Sequence, residues 1–213
     1  MSNVETDGKR FSAMNLLGTA LKDDDRLLDA LQVFDALESA MQRLHVSFGG
    51  NIDRGGKQSM LDIQCNRANC LGHLRRVDEA VEILRKVHSG MTNLHGEFHA
   101  KTLNVVLNLA GMWVATSKAS YLAEAKVLLR RVVPEAQSKF GPDHDVTLKF
   151  RRNLALALLK PAGASQGDLQ EAKAIFDDVV LRSRRALGPS HPTAVLFQHE
   201  LASFNADPRL ASR

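Results

Sequence analysis

Apolar and polar positions alternate along this chain with the helical period almost throughout. Met14, Leu17, Gly18 and Leu21 fall at i, i+3, i+4 and i+7, which predicts a first helix over Phe11–Lys22. After the acidic run Asp23–Asp25, the spacing resumes at Leu27, Ala30, Val33, Phe34, Leu37 and Met41 and predicts a second helix. Further helices are predicted over about 58–74, 77–92, 100–116, 121–139, 145–159 and 168–187, the last with Asp168 as its N-cap. A final helix starts near His191, with Pro192 in its first turn, and carries Val195, Phe197, Leu201 and Phe204. Residues 49–56, with four glycines, and 160–167, rich in Gly, Pro and Ser, read as loops. Pro134 falls inside a helical pattern and is expected to kink it or to mark a first-turn irregularity. The polar stretch 1–9 is expected to be disordered, and 207–213 to be a tail.

Laid over one another, these helices repeat. L27-L-D-A30, V77-D-E-A80, L122-A-E-A125 and L169-Q-E-A172 open successive copies, so the frame alanines stand 50, 45 and 47 residues apart. In the last three copies a glycine follows the alanine by 16 residues, at Gly96, Gly141 and Gly188. A fixed period of this size is the mark of a solenoid or array, in which no single unit buries its apolar face alone. A second small residue precedes each frame alanine, at Gly18, Ala68, Ala110 and Ala155. Large apolar residues follow four positions after it, at Phe34, Leu84, Leu129 and Phe176. Small residues let two helices of a hairpin approach closely, and the large ones wedge between neighbouring hairpins.

This small–large–small pattern resembles the tetratricopeptide repeat. The closing segments G-P-D-H-x-x-T (Gly141–Thr147) and G-P-S-H-P-T (Gly188–Thr193) are similar to the repeats of kinesin light chains, as is N-L-A at 108–110 and 153–155. The likeness spans residues 11 to about 205, roughly four and a half repeats. It implies an all-α, right-handed solenoid of antiparallel helix hairpins over 10–206, with repeats at about 11–48, 57–95, 99–140 and 144–187 and a final helix at 191–205. It also implies a protein-interaction scaffold or adaptor that takes a peptide, extended or in a short helix, in its concave groove.

Composition narrows the alternatives. Against 28 basic residues stand 24 acidic ones, interspersed, so the net charge of +4 is too mild to argue for nucleic acid. The basic pairs Arg75-Arg76, Arg130-Arg131, Arg151-Arg152 and Arg184-Arg185 are dispersed and read as solvated helix faces. Cys65 and Cys70 point apart on one helix and are expected to remain thiols. No apolar run approaches 18 residues and no leader pattern opens the chain, so the expected location is the cytoplasm, away from membranes. Phosphate-cradling glycine loops, nucleophile elbows and supported carboxylate pairs are missing from the sequence, so neither catalysis nor a cofactor is expected. His99, His144 and His191 recur once per repeat, but stacked repeats would hold them too far apart to share one ion, so no metal is expected.

Candidate binding residues come from the repeat register. Asn66, Asn108 and Asn153 each stand two residues before the small residue of their helix, a position that lines the groove in tetratricopeptide arrays. Asparagine is a modest helix former, and an amide carries both donors and acceptors, which suits a peptide main chain. The alternative is that these amides bond the neighbouring repeat. Asp62, Cys65, Asn69, Asn104, Leu107 and Gly111 flank them, and Lys149 and Arg152 do so in the fourth repeat. The expected peptide-binding set is Asn66, Asn69, Asn104, Asn108, Lys149, Arg152 and Asn153, with acidic ligand residues facing the two cations. A rival is self-assembly, or membership of a longer array, through the apolar last helix.

Overall fold

The structure, a computed structural model, describes residues 4–47, 53–207 and 209. Among these, nine helices and no strands are present: α1 (Val4–Asp23), α2 (Leu27–Ser47), α3 (Arg54–His73), α4 (Val77–His95), α5 (Ala100–Thr116), α6 (Ala119–Phe140), α7 (Asp145–Leu159), α8 (Gln166–Leu187) and α9 (Pro192–Asn205). The chain divides into two compact units, with the boundary between Met112 and Trp113, in α5.

In the first unit α1 pairs with α2 and α3 with α4, and α3 also packs on α2. In α3 and α4 the pairing is antiparallel, with Gln58 beside Met91 and Leu61 beside Gly90 across the turn at 74–76. Gly18 lies under the Phe34 ring, where an added Cβ would stand 2.7 Å from it, and Gly90 lies likewise against Leu61. The turns between paired helices close with a left-handed residue, Asp25 at φ 61° and Arg75 at φ 64°. Behind Arg75, the Arg76 N–H reaches Leu71 O at 2.9 Å, which satisfies a helix-end carbonyl.

In the second unit α7 packs between α6 and α8, and α9 packs on α8. Leu148, Val179, Val180 and Phe197 join the last three of these helices in one cluster. The frame alanines Ala30, Ala80, Ala125 and Ala172 are fully buried, as are Phe34, Leu84, Leu129 and Phe176 four residues on. The constant alanine-to-glycine interval has a backbone cause. Gly96, Gly141 and Gly188 close α4, α6 and α8 at φ between 91° and 95° and ψ between 152° and 158°. That conformation is nearly closed to any residue with a Cβ.

Several boundaries differ from the sequence reading. α1 begins at Val4, not Phe11, so residues 4–9, expected to be disordered, are helical. One glycine at position 8 costs only about 1 kcal/mol and does not stop a helix whose later turns are packed. α3 begins at Arg54 rather than Gln58, because Asp53 caps it by accepting from the Gly56 N–H at 2.7 Å. The remainder of the expected glycine-rich loop, 49–52, lies outside the described residues, as do residue 48 and residues 1–3, 208 and 210–213 of the expected termini. α6 begins at Ala119 rather than Tyr121 and runs through Pro134 without ending there. α8 is capped by Ser165, not Asp168; the Ser165 hydroxyl oxygen accepts from the Asp168 N–H at 3.0 Å.

Candidate interaction surface

The helices that open each repeat are α1, α3, α5, α7 and α9, and one register on them accounts for Asn66 and Asn108. Asn66 donates from Nδ2 to Oδ1 of Asn15 on α1 at 3.0 Å. Asn108 donates from Nδ2 to Sγ of Cys65 on α3 at 3.3 Å. Asn15 and Cys65 occupy equivalent positions, each three residues before the small residue of its helix. Glu200 on α9 stands where the asparagines stand, two residues before Ala202, and Arg152 on α7 is the equivalent of Asn15 and Cys65. These two also meet, with Arg152 Nε donating to Glu200 Oε2 at 2.8 Å and its Nη2 to Oε1. Asn66, Asn108 and Glu200 are thus ties to the preceding repeat, which is the alternative reading of the asparagines, whereas Asn153 bonds within its own helix. Asn15 and Glu200 were missed as partners, although extending the register to the first and last helices identifies both.

The seven expected binding residues therefore separate. Asn153 is 3% exposed and accepts from Arg152 Nη1 at 3.0 Å, so it is not an open groove residue as expected. Lys149 pairs with Asp145 one turn earlier at 2.6 Å, and Arg152 is held by Glu200. Both cations are already matched within the chain, which removes the reason to expect acidic residues on a ligand at α7. Asn66, Asn69 and Asn108 are half-buried and Asn104 is exposed. Asn104, Leu107, Asn108 and Gly111 share one side of α5, at i, i+3, i+4 and i+7. Cys65 beside them is a thiol whose pKa burial pushes up, so it is a poor nucleophile.

The recurrent histidines cap helices. Nδ1 of His99, His144 and His191 accepts from the backbone N–H two residues on, at 3.3, 3.2 and 3.2 Å. Each cap requires an unprotonated Nδ1. Beside them Thr102 and Thr147 are fully buried, and their hydroxyls donate to Gly96 O at 2.8 Å and Ala136 O at 3.2 Å, fastening each helix to the end of the one before. Among the described residues, no group of three or more His, Cys, Asp or Glu side chains could hold a metal ion. Nor is any described helix long and apolar enough to cross a membrane. Most of the basic pairs meet carboxylates: Arg76 with Glu79, Arg130 with Glu171, Arg151 with Asp178.

Comparison with known proteins agrees with this geometry. Residues 164–193 match the tetratricopeptide-repeat family model. Protein kinesin light chain-related 3 of Arabidopsis thaliana is 31% identical over 140 residues, which is 64% of this chain and 20% of that protein. The chain thus spans about a fifth of the length of this curated relative. Two solved structures share the fold. One, a putative kinesin light chain of Podosopora anserina with nearly identical TPR-like repeats, has a TM-score of 0.68 at 23% identity, over 92% of this chain and 84% of that one. The other, BtubC (BKLC) from P. vanneervenii, has a TM-score of 0.60 at 15% identity, over 98% of this chain and 85% of that one. The chain thus has the tetratricopeptide-repeat fold, with repeats similar to those of kinesin light chains, a kind of repeat that generally mediates protein–protein interaction.

Proposed function

We propose that this chain is an interaction scaffold that holds an extended or short helical peptide against the exposed side of α3 and α5, over residues up to Met112. The observation that carries the reading is Gly111. It lies inside α5, half-exposed, and a Cβ built there would meet nothing within 4 Å. At Gly18, Gly72 and Gly90 the missing Cβ makes room for Phe34, Met112 and Leu61. No neighbour in the fold fills the space at Gly111, although an interior helical glycine costs about 0.5–1 kcal/mol relative to alanine. A glycine kept under those terms leaves backbone open to something from outside. Asn104 and Asn108 on the same side of α5 supply amide donors and acceptors for a peptide main chain, with Asn69 on α3 supplying another.

The test begins with proteins retained by the full chain from its native cell, identified by mass spectrometry. A labelled peptide from the retained partner is then titrated against Gly111→Leu, Asn104→Ala and the double variant. A neutral hydrogen bond contributes about 0.5–1.5 kcal/mol, so Asn104→Ala is expected to weaken binding by about two- to tenfold. Gly111→Leu, which fills the open space, is expected to weaken it further while leaving the melting temperature unchanged or raised. Undiminished binding by a folded double variant removes the α3–α5 side as the seat.

A further inference from the structure

The corner between α4 and α5 carries chemistry that the corner between α6 and α7 lacks, although both are built on one plan. Each has a closing glycine, Gly96 or Gly141, and three residues later a histidine whose Nδ1 caps the next helix. Each capping ring stacks on the residue four positions earlier, which ends the preceding helix. For His144 that residue is Phe140, with centroids 5.2 Å apart and planes 26° from parallel. For His99 it is His95, at 4.7 Å and 19°. A second imidazole thus takes the stacked place that a hydrocarbon ring holds at the other corner.

His95 Nε2 faces Oε1 of Gln58 on α3, and an amide oxygen only accepts, so Nε2 carries the hydrogen and Nδ1 is the basic nitrogen. The amide is fixed that way round because its Nε2 donates to Asp62 Oδ1 at 2.8 Å. His99 Nδ1 accepts from the Lys101 N–H at 3.3 Å, so both rings are neutral in this arrangement. The cations of the corner are Arg54 on α3, which donates to Leu94 O at 2.7 Å, and Lys101 on α5. Its carboxylates are Asp62 on α3 and Glu97 in the turn. The C-terminus of α4 attracts a positive charge at His95, while the N-terminus of α5 repels one at His99, so the first proton goes to His95. There it meets a second imidazole across the stack and two cations. Partial loss of water around the ring, then His99, Arg54 and Lys101, hold His95 below the ordinary imidazole range, with Asp62 pulling the other way.

We infer that the His95–His99 stack is an acid-sensitive latch on α5, which opens on taking up a proton and loosens the first turn of α5 more steeply than the Phe140–His144 corner loosens α7. With the folded value below the unfolded one of about 6.5, the opened corner binds the proton first. The stability of the corner is therefore complete above that pH and is lost as pH falls through the folded value. Asn104 lies one turn into α5, so the same proton weakens a ligand held there. That consequence rests on the proposed reading of α3 and α5, whereas the latch does not.

Amide hydrogen exchange followed by NMR on the full chain, with no ligand present, reads both corners in one sample. The Lys101 and Val146 N–H groups bond the two capping rings, and the Leu103 and Leu148 N–H groups bond the carbonyls of the same histidines at 2.9 and 3.0 Å. Corrected for the intrinsic pH dependence of exchange, protection at Lys101 and Leu103 is expected to fall further than at Val146 and Leu148 between about pH 7.5 and 5.5. The excess is expected to be about two- to fivefold, the effect of one charge at a helix end. Its midpoint is expected to coincide with the titration of the His95 ring, followed by the ring proton shifts. His95→Phe, which copies the other corner, and His95→Gln, which stays polar but takes no proton, are both expected to make the falls equal. Equal falls in the parent, an excess that persists in either folded variant, or a midpoint apart from that of His95 overturns the inference. No partner enters the measurement, so its failure leaves the reading of α3 and α5 untouched.

Discussion

Two glycines of this chain lead to opposite predictions although each has open space where a Cβ would go. Gly141 closes α6 at φ 91° and ψ 158°, and nothing lies within 4 Å of its ideal Cβ position. Gly111 sits in the regular turns of α5 with the same empty surroundings. Alanine at 141 meets no neighbour, so its cost is that of the backbone region alone, about 1–3 kcal/mol. Part of this is offset by about 0.4–1 kcal/mol, because alanine restricts the unfolded chain. The net expectation for Gly141→Ala is a loss of about 1–2 kcal/mol, a factor of about 5–30 in the folding equilibrium. Gly111→Ala has no such strain to meet and is expected to gain about 0.5–1 kcal/mol. Urea unfolding followed by far-ultraviolet circular dichroism reads both. With a slope of about 2 kcal/mol per molar, the midpoint falls by about 0.5–1 M for Gly141→Ala and rises by about 0.3–0.5 M for Gly111→Ala. Equal slopes in all three proteins show that the shifts are changes in stability and not in the surface exposed on unfolding. A Gly141→Ala midpoint at or above that of the parent refutes the argument that backbone geometry places a glycine 16 residues after each frame alanine.

Two further outcomes test the inter-repeat ties. Asn66→Ala is expected to cost about 0.5–1.5 kcal/mol by removing the bond to Asn15, whereas Asn104→Ala, on an exposed position, stays within about 0.5 kcal/mol; equal melting shifts for the two sink the tie. The hydrogen bond from Lys126, with help from Ser165, holds the Asp168 carboxyl below the usual aspartate range. A depressed folded pKa contributes stability that is complete above the unfolded value and is lost as pH falls through the folded one. Lys126→Met is therefore expected to lower the melting temperature at neutral pH, with the gap to the parent closing on the acid side; a gap that stays constant down the acid limb contradicts the pairing.

What was legible in the sequence was whatever repeats within it. The frame alanines, the large residues four positions on and the closing glycines each recur at a fixed interval, and a fixed interval in a helical array is a fixed place in the packing. The binding candidates were read less well, because their partners lie one repeat away. Whether Asn66 faces a ligand or Asn15 depends on how adjacent helices are staggered, which a single helix pattern does not contain. Arg152 looked like a free cation for the same reason, since its partner Glu200 is 48 residues on, in a half-repeat whose register had not been extended. Helix starts at Arg54 and Gln166 escaped the apolar pattern, because side-chain caps from Asp53 and Ser165 set them ahead of the first buried residue.

The ties between opening helices make the units of this array less interchangeable than their common backbone suggests. One pair of positions carries amide to amide at Asn66 and Asn15, amide to thiol at Asn108 and Cys65, and guanidinium to carboxylate at Arg152 and Glu200. Each of these three pairs of helices thus has its own lock. A chimera that transplanted the Arg152 unit behind a neighbour presenting an amide would strand a cation at the joint. Reordering these modules, by recombination or by an engineer, therefore requires moving both halves of a pair together, because any cut between two tied opening helices parts them.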